Sequence, residues 1–68
     1  SNITFVLLFH LNNTEAIEKT IKVFLRGYLP ASWNYDKKIE WYSETTKDHH
    51  FLLINNLDGT ICRCKIQI

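Results

Sequence analysis

The 68-residue chain has no methionine, a single proline, two glycines and two cysteines. Without methionine, Ser1 is not a translation start, and the chain is expected to be a piece of a longer one. So little proline and glycine excludes a flexible linker, and no repeat or low-complexity stretch interrupts the chain. Residues 1–68 are therefore expected to form a single domain. Charge of one sign is also lacking: eight Lys+Arg face seven Asp+Glu, for a net charge of +1. Such a balance excludes the one-sided field that drives nucleic-acid or membrane-surface binding. Long apolar runs are missing too. Ile3 to Leu11 is far shorter than the roughly 20 residues of a membrane span, and it lacks the flanks of a signal peptide. No membrane insertion of this segment is expected. The two cysteines, Cys62 and Cys64, are separated by one residue, so they do not form the usual staple of a small domain.

What is present is a globular composition, 46% hydrophobic and 22% charged. Ile3–Leu11 reads as a strand, apolar on both sides and therefore central in a sheet. Asn12-Asn13-Thr14-Glu15 supplies helix-start chemistry, with short polar caps and an acid in the first turn. Ile17, Ile21, Phe24 and Tyr28, with Leu25 beside them, form one apolar stripe, and Gly27 and Pro30 end the helix. Lys38–Thr45 alternates, Ile39, Trp41 and Ser43 against Glu40, Tyr42 and Glu44, and reads as a half-buried strand. Phe51–Asn56 and Thr60–Ile68 flank Asp58-Gly59, a strong hairpin signal. The expected fold is α+β, in the order β-α-β-β-β: a four-stranded, mainly antiparallel sheet with one helix on one face.

A two-residue turn at Asp58-Gly59 would set Leu53 opposite Cys64 and Phe51 opposite Ile66. A four-residue turn shifts the partners and keeps the faces. Phe51, Leu53, Cys62, Cys64, Ile66 and Ile68 then share one face, which joins the helix stripe as the expected core. On this reading Cys62 and Cys64 are small buried apolar side chains, bridges to cysteines outside the chain, or a metal pair with His49 and His50. Zinc needs its ligands within about 2.3 Å of the ion, whereas His49 lies roughly 13 Å along the strand pair from Cys64 at about 3.3 Å per residue. No metal and no cofactor is expected. No nucleophile–base pair is in reach of another, and one helix on one sheet offers no cleft, so the chain reads as a non-enzyme.

The second face would carry Val6, Leu8, His10, Tyr42, Leu52, Ile54, Ile61 and Arg63, with Glu40, Glu44 and Lys65 among them. That is too apolar for a solvent face. It is therefore expected to be covered by residues outside this chain, to self-associate, or to bind a protein partner. Nucleic acid is not expected there, because Tyr42 is the one aromatic on it. Asn2-Ile3-Thr4 and Asn12-Asn13-Thr14 fit the N-glycosylation acceptor at Asn2 and Asn12.

Three stretches suggest a further comparison. They are Phe5-Val6-Leu7-Leu8-Phe9, the helix ending near Leu29-Pro30 with Trp33 after it, and Leu57-Asp58-Gly59-Thr60-Ile61-Cys62-Arg63-Cys64. In pattern and spacing the chain resembles a short module near the N-terminus of some adhesion G-protein-coupled receptors. Where that pattern has a cysteine shortly before the turn, this chain has His49-His50-Phe51. The resemblance implies an extracellular, non-catalytic module of a receptor ectodomain. The alternative expectation is a cytoplasmic regulatory domain, viral or bacterial, acting by dimerisation or by binding protein or nucleic acid.

Overall fold

The computed structural model describes residues 3–68. It contains three strands and two helices in the order β1 (Phe5–Leu8), α1 (Thr14–Phe24), α2 (Tyr35–Thr46), β2 (His50–Asn55) and β3 (Thr60–Lys65). The chain divides into two compact units, one of Ser1–His10 with Thr45–Ile68 and one of Leu11–Glu44.

The first unit is an antiparallel sheet of order β1-β2-β3. Val6 pairs with Ile54 and Leu8 with Leu52 across β1 and β2. Ile54 pairs with Ile61 and Leu52 with Arg63 across β2 and β3. The β2–β3 connection is the four-residue turn Asn56–Gly59, which sets Asn55 opposite Thr60 and Leu53 opposite Cys62. Asp58 shapes that turn by accepting from both the Thr60 hydroxyl (2.7 Å) and the Thr60 N–H (3.0 Å). Gly59 occupies the left-handed region at φ +73°, where a side chain would be strained. Asp48 and His49 also have positive φ, +55° and +64°, in the tight turn entering β2. Two backbone hydrogen bonds hold that turn: the His50 N–H donates to Lys47 O, and the Ile66 N–H donates to His49 O.

In the second unit Asn13 caps α1, its side chain accepting from the Ala16 N–H at 3.0 Å. Ile17, Ile21 and Leu25 are buried, at successive spacings of four. Phe24 is 39% exposed and Tyr28 half-buried, so the inward stripe is narrower than the sequence suggested. Gly27, at φ +84°, follows the helix end.

Three expectations are corrected. The sheet has three strands rather than four, and there are two helices rather than one, because Lys38–Thr45 lies within α2. The helix is consistent with its own local chemistry. Asn34 accepts from the Lys37 N–H at 2.9 Å as a cap, and Asp36 sits in the first turn. Ile39, Tyr42 and Thr46 follow at helical spacings of three and four, with Tyr42 and Thr46 buried. Finally, β1 is an edge strand, and the central strand is β2.

Candidate interaction surface

The register decides which sheet face is closed. Leu8, Leu52 and Ile54 share one face and are 6, 2 and 1% exposed. Val6 and Ile61, half-buried, lie on that face too. The opposite face carries Phe5, Leu7, Leu53, Cys62, Phe51 and Cys64, again by direct cross-strand pairing. Phe9 extends it, its ring 5.3 Å from that of Phe51. On this face Phe5, Leu7 and Phe9 are 52, 49 and 48% exposed, and Ile66 beyond the strand end is 41% exposed.

The faces are therefore reversed relative to the expectation. Of the residues proposed to meet a partner, Val6, Leu8, Leu52, Ile54 and Ile61 lie on the closed face. Tyr42 is not on the sheet at all: it belongs to α2 and is fully buried, and burial pushes its phenol pKa up from 10.0. Arg63, opposite Leu52, belongs to the closed face as well but is exposed, and its Nε donates to the Thr45 carbonyl at 2.9 Å. His10 lies just past β1, with its Nδ1 3.0 Å from the hydroxyl of buried Thr46. The residues expected to form the core, Phe51, Leu53, Cys62, Cys64 and Ile66, line the open face instead. Cys62 is exposed, Cys64 is half-buried, and both are free thiols. Ile68 is 96% exposed beyond the last strand.

The open face is uncharged. Its strand residues are apolar, apart from Asn55, Thr60 and the two thiols. Strand β1 and its approach, Ile3 to Phe9, contain no charged residue, so this edge lacks the usual guard against association. On the far edge β3 carries Arg63 and Lys65.

At one end of the sheet, Phe9, His10, Thr46, Lys47, Asp48, His49, His50 and Ile66 enclose a cleft of about 340 Å³. All three histidines of the chain line it. His50 Nδ1 lies 3.0 Å from the Lys47 carbonyl, an acceptor, so this nitrogen carries the proton. Among the described residues, however, no three His, Cys, Asp or Glu side chains converge closely enough to hold a metal ion. Its accessible lining is mostly apolar, and it continues the apolar face at Phe9 and Ile66.

Of the two acceptor sites, Asn12 is exposed immediately before the α1 cap. Asn2 lies outside the described residues. Among the described residues, no helix is long and apolar enough to cross a membrane. No protein-family model, curated protein or solved structure matches the chain.

Proposed function

We propose that the chain is a non-enzymatic protein-interaction module that works through the open face of its sheet, and that a second copy is the occupant this face fits best. One observation carries the reading: Phe5 and Leu7 on β1 and Phe9 just past its end stand half exposed in a row. At about 200 Å² per large side chain, these three with Ile66 expose roughly 400 Å², already in the range of the largest apolar patch on a typical monomer. Phe51, Leu53, Cys62 and Cys64 add to it. Two such faces would bury about 1,000 Å² together, the low end for a specific interface. An uncharged face is also self-complementary, since packing it on its own copy leaves no buried charge unpaired. The sheets would stack at about 10 Å, as in a β-sandwich. An interface of this size predicts a weak dimer, with Kd on the order of micromolar.

Sedimentation velocity from micromolar to millimolar concentration tests the proposal. The wild-type chain should shift from monomer to dimer, and Leu7→Lys should stay folded and monomeric. A wild-type monomer throughout, or a Leu7→Lys variant that fails to fold, would refute it.

The setting proposed for the module is a receptor ectodomain. The resemblance to the adhesion-receptor module and the exposure of Asn12 beside a surface turn support it. The second reading is a regulatory dimer in a reducing compartment, where Cys62 and Cys64 would stay reduced. The mass of secreted material with and without glycosidase separates the two: a glycan on Asn12 supports the first, and an unmodified chain the second.

A further inference from the structure

A separate feature lies within residues 11–44. The end of α1, the segment after it and the first turn of α2 enclose a cleft of about 520 Å³, within the range of small-molecule sites. Half-buried Leu29 and exposed Ala31 supply its accessible apolar lining, over Ile21 and Leu25, which are closed off at 3 and 1% exposed. Its rim carries Lys22, Arg26 and Lys38, and no acidic residue lines it. The Lys22 and Lys38 ammonium groups both lie over the single ring of Tyr35, 5.0 and 4.7 Å from its centroid.

Helix electrostatics accounts for part of this arrangement. Lys22 and Arg26 sit near the C-terminal end of α1, where cations are favourable. Lys22 is also partly neutralised by Glu18 at 2.8 Å. Lys38 has no such explanation. It is the fourth residue of α2, near the positive end of that helix, where a cation is unfavourable. Lys38 and Arg26 have no acidic partner among the described residues. A ring face offers only about 0.5–1 kcal/mol to a cation at an exposed site, and here two cations share one ring. The site therefore combines apolar lining with a cationic rim in which Lys22 is paired with Glu18 while Arg26 and Lys38 are not compensated.

We propose that this cleft binds a small amphiphilic organic anion, with a phosphate or carboxylate head held by Arg26 and Lys38 and an apolar body resting on Leu29 and Ala31, the apolar lining residues that still present surface. Arg26 supplies the planar fork suited to such a head. Lys38 supplies a second charge-assisted donor.

The test is a titration of the ¹⁵N-labelled chain with 1-naphthyl phosphate, followed by amide shifts. Inorganic phosphate serves as the head alone and 1-naphthalenemethanol as the body alone. Saturable shifts are expected at Arg26, Gly27, Leu29, Ala31 and Lys38, with Kd below about 1 mM and each half-ligand at least about tenfold weaker. Arg26→Glu and Lys38→Glu should each abolish the shifts while the remaining spectrum keeps its dispersion. Arg26 is exposed, so its reversal tests the idea even if Lys38→Glu disturbs the helix. Shifts confined to the open sheet face, no saturation, or binding unchanged by Arg26→Glu would overturn the proposal.

Discussion

Leu7 and Leu8 are adjacent in sequence and identical in chemistry, and they differ in burial: Leu7 is 49% exposed and Leu8 6%. Truncating each to alanine removes the same atoms from opposite faces of the sheet. Leu8→Ala opens a hole among buried side chains, and such deletions cost about 2–5 kcal/mol. Leu7 has buried only half its surface, and full burial is worth about 1.5–3 kcal/mol. Its truncation should cost about 1 kcal/mol, with no cavity term because solvent fills the space. The difference, about 2 kcal/mol, is large for a chain whose whole stability is on the order of 3–10 kcal/mol. Small domains lose roughly 4–8 °C per kcal/mol, so Leu8→Ala should melt about 8–16 °C below Leu7→Ala. Thermal unfolding followed by circular dichroism measures this directly. Low protein concentration is needed, because any stabilisation from association at Leu7 would otherwise be counted with the fold. Equal melting temperatures, or a lower one for Leu7→Ala, would refute the assignment of the two faces.

Other perturbations test local features. Tyr42 has a phenol pKa raised by burial, so its protonated form is favoured in the folded state. The stability this contributes is present below pH 10 and is lost as pH rises through the folded value. The melting temperature should therefore fall at alkaline pH, and Tyr42→Phe should flatten that fall even if it lowers stability at neutral pH. Asn13→Ala removes the acceptor for the Ala16 N–H and should cost about 1 kcal/mol, with Asn13→Asp recovering most of it; helix content and melting temperature report both.

The sequence showed its local signals well and its faces poorly. The hairpin around Asp58-Gly59 and the helix start at Asn12–Glu15 are legible because each rests on a few adjacent residues, whereas the turn length, four residues rather than two, is not. The segment Lys38–Thr45 satisfied two periods at once. Ile39, Trp41 and Ser43 alternate as in a strand, whereas Ile39, Tyr42 and Thr46 recur as in a helix. The cap at Asn34 and the acid at Asp36 could have settled it. Face choice failed for a different reason. Odd and even positions of β1 are both apolar, so alternation does not say which side is closed. The hairpin's apolar side, Phe51, Leu53, Cys62 and Cys64, looked like the core because its other side carries Arg63 and Lys65. In the structure those charges sit at the edge strand, one of them bonded to a backbone carbonyl, while Leu52 and Ile54 beside them are closed off. Because the pattern assigns the open face to the core, it gives no sign that this face is exposed.

Cys62 offers the most direct test, since it lies on the open face opposite Leu53 and is exposed. Its rate of alkylation in the native chain should be measured by mass spectrometry across a range of protein concentrations. The account predicts rapid reaction in dilute solution, comparable to that of the denatured chain, and progressive protection as concentration rises and a second copy covers the face. Slow reaction at every concentration would mean that this face is the core, and fast reaction at every concentration would mean that no second copy occupies it.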